Sequence, residues 1–564
     1  MGTHADVVLT GGAVYTADPA RRRMVAAGTG APSGTGAPSG AVAVRGDRIV
    51  AVGETGDPDI AGLIGPRTEV VDLRGRALLP GFQDAHVHPA FAGVTMIGCN
   101  LIGAASLDEA LARIGSYVAR HAGQEWIAGS GWRMEWFERG TPSRHLLDQV
   151  IGGRPGYLTN RDGHGAWAST RALELAGIDA RTPDPPDGRI ERDADGSPQG
   201  TLHEGAATLV GRHVPAPTFD ERVRGLLLAQ AHLHARGITA WQDAIVGEYL
   251  GSADPLPVYL AAARAGTLTA RVEGALWWDR DRGSEQLPEI LARREQGQAG
   301  RFRANTVKIM QDGVAETFTA AMIEPYLDSC GGQTANRGLS HVDAQQLREY
   351  VTLLDAAGFQ VHLHAIGDRA VRESLDAIEA ARGANGAGDH RHHIAHLQVM
   401  HPSDVPRFAA LGVTATIQAL WAAHEPQMDE LTIPFIGPER AARQYLFGDL
   451  LRSGARLAAG SDWAVSSANP LRAIHVAVNR TLPGTDAEPL LPGQGLDLAE
   501  ALAAYTIGSA YVNHLDHQTG AIEAGGLADL VVLDRDPFRG PPGEIAATAV
   551  DATYVAGEQV YARQ

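Results

Sequence analysis

The sequence predicts an α/β chain: a parallel (β/α)8 TIM barrel, a small β-sandwich formed by both chain ends, and an inserted subdomain after the first barrel strand. Three observations predict it. Eight short apolar strand candidates alternate with helical patterns. Both ends carry short alternating β-segments separated by glycine turns. The stretch between the first two barrel candidates is far too long for a single connection. With 564 residues, 44% hydrophobic and 20% charged, the chain has room for a large core and the composition of a water-exposed globular protein.

The first element runs from 5 to 56, where ADVVLTGGAVYTAD and GAVAVRGDRIVAVGE read as hairpin strands. Between them GTGAPSGTGAPSG, residues 28 to 40, is a tandem repeat of small residues that predicts a disordered surface loop. The closing stretches GLADLVVLDRDPF and TAVDATYVAGEQVYARQ have the same β character. Residues 1–78 and 516–564 are therefore expected to form one composite β-sandwich, leaving 79–515 for the barrel, with 104–235 as the insert.

Within the barrel region the first strand ends at GFQDAHVHP, and seven more candidates follow. They are ITAWQDA (238–244), LTARVEGALWW (268–278), NTVKIMQDG (305–313), QVHLHAIGD (360–368), HHIAHLQ (392–398), VTATIQALW (413–421) and RLAAGSDW (456–463). A barrel gathers the C-terminal ends of its strands at one mouth, where active sites lie.

Composition narrows the function classes. A formal net charge of -18 argues against nucleic-acid or anionic-membrane partners, which call for a basic face. No apolar run approaches the roughly 20 residues of a membrane span. The basic cluster Arg21-Arg22-Arg23 follows the first apolar stretch where a secretory signal would have it precede, so a cytoplasmic location is expected. Cys99 and Cys330 are too few and too far apart for a disulfide framework or a Cys-based metal site, and read as inert buried thiols.

Polar residues recur at the ends of the strand candidates. His86 and His88 stand at alternate positions, so both imidazoles face one side. Lys308 lies on the fourth strand, His364 on the fifth, His396 on the sixth and Asp462 on the eighth. Neutral imidazoles with a carboxylate suit zinc or a similar divalent ion while leaving positions open. Lys308 is the only lysine among the 48 basic residues, and it sits inside the apolar stretch TVKIM. Arginine cannot replace lysine where the amine itself must react or lose its proton. Two uses fit: a free amine acting as base or Schiff-base former, or a carbamate made with carbon dioxide that bridges two metal ions. Beside four histidines and an aspartate, the bridging carbamate is preferred.

Taken together, DAHVHP, the lysine of VKIMQDG, HAIGDRAV, HHIAHLQ, AGSDW and GAIEAGGLADLVVLD resemble the metal-dependent amidohydrolase superfamily. HAIGDRA, RDGHGAW and the long insert are similar to the amidohydrolase-3 branch that includes N-substituted formamide deformylases. The resemblance implies the barrel-plus-sandwich fold, and one or two divalent ions held by His86, His88, Lys308, His364, His396 and Asp462. It also implies hydrolysis of a non-peptide carbon–nitrogen bond of a small molecule, an N-substituted formamide or related amide, in a homodimeric protein. Asp462 would shuttle the proton from the attacking water to the leaving nitrogen, and His364 or His396 would help polarise the carbonyl. Two departures stand out: the extra His392 and His393, and the absence of a Gln-Pro pair after strand seven.

Asp84 reads as a support for the histidine pair or a strand end, and Asp368 as a loop or cap residue. Trp132 and Trp136 of GSGWRMEW, His164 and Trp167 of RDGHGAW, and Trp421 are candidates for a pocket that takes an apolar substituent, with Trp132, His164 and Trp421 foremost. A mononuclear heterocycle deaminase would need no Lys308, a lactonase would share the metal chemistry, and a non-catalytic binding protein would have no need of the full ligand set.

Overall fold

Parallel strands buried on both faces read as nearly continuous apolar runs, and this sequence contains eight of them at the expected spacing. In the computed structural model, which describes residues 4–18, 20, 23–26, 39–249 and 252–564, all eight are strands. We number them β1 (Phe82–Val87), β2 (Ile238–Val246), β3 (Arg271–Trp277), β4 (Phe302–Met310), β5 (Gln360–Ala365), β6 (His393–His396), β7 (Thr414–Ile417) and β8 (Arg456–Ala459). Each pairs in parallel with the next, from β1 through β8.

The seam between β8 and β1 is closed by the chain that follows β8. Asp462 N–H donates to His86 O at 2.8 Å and His88 N–H to Trp463 O at 2.8 Å. Asp84 Oδ1 accepts from both the His86 and the Ser461 backbone N–H at 3.0 Å. Asp84 thus supports the histidine pair by tying β1 to the turn after β8; as the third residue of β1 it does not end the strand, the other role expected of it.

The expected β-sandwich is built as one continuous sheet of nine strands. Strand Val7–Asp18, 12 residues long, pairs with Ser39–Arg45, Glu69–Asp72, Ala77–Pro80 and Arg23–Ala26. The C-terminal strands Leu530–Leu533, Val550–Val555 and Glu558–Ala562 continue the same sheet beyond Ala77–Pro80. Leu9, Val42, Ile49, Leu78, Val532 and Tyr554 form a core within it. The tandem repeat, apart from Ser39 and Gly40, lies outside the described residues.

The insert has a sheet of its own, six strands running from Cys99 to Glu204. It begins earlier than residue 104, because Cys99–Asn100 pairs in parallel with Ile127–Trp132. It also ends before 235. Helix Phe219–His234 packs on helix Pro89–Ile97, and its Leu226, Ala229 and Leu233 join the barrel core. Cys99 is buried but Cys330 is exposed, in a turn whose N–H bonds Asp328, so the expectation of two buried thiols holds for Cys99 alone. Among the described residues no helix is long and apolar enough to cross a membrane.

Candidate metal centre and active site

β1 is buried along its whole length, and the pleat aims His86 toward the barrel mouth. His88 follows directly and caps helix Pro89–Ile97, whose first residue is a proline suited to that position. Asp462 comes from the turn after β8 with φ 54°, and His396 at the end of β6 has φ 80°. Left-handed backbone at bulky residues costs energy and clusters at functional sites, where the surrounding structure enforces it.

The result is a close group. Asp462 Oδ1 lies 2.9 Å from His88 Nε2 and 3.3 Å from His86 Nε2. His396 Nδ1 lies 4.0 Å from Asp462 Oδ2, and its ring centroid is 4.7 Å from that of His86 and 4.3 Å from that of His364. Among the described residues, His86, His88 and Asp462 are the one group of three His, Cys, Asp or Glu side chains whose ligand atoms lie within 4.8 Å of one another.

Lys308 projects from β4 into the same space. All six predicted residues line one cavity of about 500 Å³.

Electrostatics favour a metal here. Burial holds the pKa values of His86, His364 and His396 well below the ordinary imidazole value, so all three are neutral donors. Burial lowers the Lys308 amine to about 7, against the opposing pull of the Asp462 charge. Lys308 Nζ, His88 Nδ1 and His396 Nδ1 are buried with no hydrogen-bond partner among the described residues. His364 Nδ1 comes within 3.2 Å of Asp312 Oδ1 without hydrogen-bond alignment. Buried polar atoms are ordinarily paired. The neutral imidazoles of His86, His364 and His396, gathered with His88 around the Asp462 carboxylate, are the donor set a divalent ion takes, so these residues fit the metal.

The insert adds His164. The Asp162-Gly163-His164 turn is fixed by His164 N–H donating to Asp162 Oδ1 at 2.9 Å. His164 Nδ1 lies 2.9 Å from Glu204 Oε1, and the ring faces that of His364 at 5.6 Å. Burial lowers the His164 pKa, but Glu204 more than offsets it, leaving the imidazole raised to about 9. The carboxylate in turn falls to about 2: burial raises it, and His164 outweighs that. Trp421 stacks on His396, with ring planes 6° apart and centroids 5.3 Å apart.

Trp132 is not brought to the cavity. Its indole N–H donates to Leu158 O at 2.8 Å, and the ring packs with Phe137 and Trp167 in the insert core. The insert needed a core of its own and used these aromatics for it. The apolar cavity wall comes instead from Phe91, Val94, Tyr249 and Trp277, which carry no motif in the sequence. Glu204 and Asp312 were also missed.

Asp368 accepts the Ile323 N–H as the first residue of helix Asp368–Asn385, whose cap position is Gly367, so its role is structural but within the helix, where a loop or cap was expected. The extra histidines find partners inside the fold: His392 Nε2 with Asp355 Oδ1 at 2.9 Å, and His393 with Thr416 and Gln242.

The sequence model of the amidohydrolase family matches residues 69–561. The chain is 32% identical to "Protein LONG AFTER FAR-RED 3" of Arabidopsis thaliana, across 99% of this chain and 92% of that one. It is 28% identical to the N-substituted formamide deformylase of Arthrobacter pascens, across 93% and 95%. A solved structure of an uncharacterized metal-dependent hydrolase from Pyrococcus horikoshii OT3 superposes with a TM-score of 0.70 at 25% identity, covering 95% of this chain and 99% of that one.

Proposed function

Because the chain belongs to the amidohydrolase family, we propose that it hydrolyses a non-peptide carbon–nitrogen bond of a small amide, with N-substituted formamides the first class to try. The observation that carries this is Lys308. The chain's single lysine is buried in the lining of the same cavity as four histidines and an aspartate, with its amine unpartnered among the described residues and its pKa lowered to about 7.

His86, His88 and Asp462 would hold one divalent ion, and His364 and His396 would complete that site or hold a second ion. When bound, the ion supplies Lewis acidity that polarises a carbonyl and lowers the pKa of water. The neutral Lys308 amine can attack carbon dioxide, forming a nitrogen–carbon bond and releasing one proton. The resulting carbamate would offer two oxygens between the ion sites.

Asp462 takes the proton of the attacking water and returns it to the departing nitrogen. His164, held cationic by Glu204, donates a hydrogen bond to the developing oxyanion. Trp421 and the wall around Phe91 and Val94 take the apolar substituent. The deformylase relative supports trying formamides first, while its 28% identity leaves the substituent to be found by assay.

The test is metal content per chain by elemental mass spectrometry, for wild type and Lys308→Arg purified alike with bicarbonate present. About two ions falling to one or none, with loss of formamide hydrolysis, is the expected result. One ion in both proteins would sink the bridging carbamate and move a mononuclear reaction ahead.

A further inference from the structure

The interior of a (β/α)8 barrel is ordinarily filled by layers of branched apolar side chains. Here the interior beneath the metal-facing histidines holds Gln242, Thr306, Gln360, His362 and His393, every one buried. His362 stands two residues before His364 on β5, so it points the same way one layer deeper. Burying this many polar groups costs free energy unless each donor finds an acceptor.

Following the protons from one fixed end assigns these hydrogen bonds in a single direction. Gln360 Nε2 lies 2.8 Å from two backbone carbonyls, Arg391 O and Val512 O. Carbonyls only accept, so this end of the amide is the NH2 group and Oε1 is fixed at the other end. Gln360 Oε1 then accepts from Gln242 Nε2 at 3.0 Å and from the Thr306 hydroxyl at 2.7 Å.

That fixes Gln242 Oε1 as an acceptor, for His362 Nδ1 at 2.6 Å and His393 Nε2 at 3.0 Å. With its proton on Nδ1, neutral His362 keeps a lone pair on Nε2, which lies 2.9 Å from His86 Nδ1. His86 must therefore carry its proton on Nδ1, leaving the Nε2 lone pair facing Asp462. His393 closes the count, its Nδ1 accepting the Thr416 hydroxyl at 2.8 Å.

We propose that the Gln360–Gln242–His362 relay is a positioning device that locks His86 in the Nδ1–H tautomer and holds its Nε2 toward the metal ion. His362 and Gln242 touch no substrate and act through His86. Among the described residues His88 has no such support, since its Nδ1 is unpartnered. A ligating imidazole usually donates its second N–H to a carboxylate, carbonyl or water. In this barrel a second imidazole takes that place, and its own tautomer is set from two carbonyls on the far side of the barrel interior.

The inference rests on His86 being a metal ligand, so two measurements separate it from that reading. Neutron diffraction on the full chain, as purified, should show deuterons on Nδ1 of both His86 and His362. A deuteron on Nε2 of His362 overturns the relay, whether or not metal is bound. Zinc affinity, measured by competition with a chromogenic chelator, should fall roughly 10–100-fold in His362→Met and recover most of the loss in His362→Gln, whose amide oxygen can accept from His86.

A merely structural role would lower the melting temperature of both variants and leave zinc affinity unchanged. Wild-type affinity in a folded His362→Met therefore overturns the proposal. If His362→Met fails to fold, the neutron result decides. A wild-type chain that binds no zinc would overturn the ligand reading itself.

Discussion

His164 shows how surroundings set the charge of one side chain. Burial alone would make it neutral, yet Glu204 Oε1 at 2.9 Å keeps it protonated, with pKa raised to about 9 while that of Glu204 falls to about 2. A histidine with a raised folded-state pKa contributes stability that is fully present below its ordinary value near 6.5 and is lost as pH rises through about 9. The lowered Glu204 contributes above its ordinary value of 4.5 and loses that contribution as pH falls through about 2. Both contributions are whole only between those ordinary values. Glu204→Gln should therefore destabilise the chain by about 1.5–3 kcal/mol near pH 5.5, with the gap shrinking by pH 9.5. Urea titrations of both proteins at the two pH values check this, and an unchanged gap would show that the pair is not ionised. Glu204 was not legible in the sequence, because it meets His164 from a strand end 40 residues away. His86 and His88 were legible through strand alternation, and Lys308 through its solitude. Trp132 misled because a core indole and a pocket indole look alike until the hydrogen bond to Leu158 is seen.

The eight barrel strands could be read because each is a short apolar run bounded by polar or glycine residues. Helix pairing left no such mark. Helix Pro89–Ile97 crosses Phe219–His234 where two glycines meet: a Cβ added at Gly93 would lie 2.2 Å from Gly225 O, and one added at Gly225 would lie 2.8 Å from Gly93 C. This contact draws Phe219–His234 out of the predicted insert and into the barrel layer. Alanine in place of a helical glycine ordinarily gains about 1 kcal/mol. At Gly93 the obstruction is backbone, which cannot swing aside, so the steric cost wins. Gly93→Ala should lose about 1–3 kcal/mol in urea unfolding. It should also weaken substrate binding, because the same helix starts at His88 and carries Phe91 and Val94 into the cavity wall. Gly115→Ala is the control: its helix Leu107–Arg120 has open space at that position, so the change should be neutral or stabilising. A Gly93→Ala protein as stable as wild type would mean the two helices can separate without cost.

Across the whole chain, the two ends and the barrel share one core. Tyr15 and Met24 from the N-terminal strands and Val531 and Leu533 from the C-terminal ones pack in the same cluster as Phe82, Trp241 and Ile394 of the barrel. The junction is polar as well: Arg271 on β3 pairs with buried Asp529 at 2.8 Å, Gly81 N–H donates to Asp529 O at 2.8 Å, and Thr553 Oγ1 donates to His234 O at 2.7 Å. The sequence shows two β-rich ends that resemble each other, and from that alone a detachable barrel spanning 79–515 is a natural expectation. Shared burial argues the reverse. Removing the ends would expose the outer face of this cluster and leave Arg271, with only 14% of its side chain exposed, without its carboxylate. Breaking one side of a buried ion pair alone costs roughly 3–5 kcal/mol, a large part of an ordinary domain's stability. A fragment of residues 79–515 should therefore be insoluble or unfold without cooperativity. The full chain should show one transition, coincident by far-ultraviolet circular dichroism and by tryptophan fluorescence. A soluble fragment that melts cooperatively would show that the end sheet is an accessory to the barrel, and the metal site could then be studied without it.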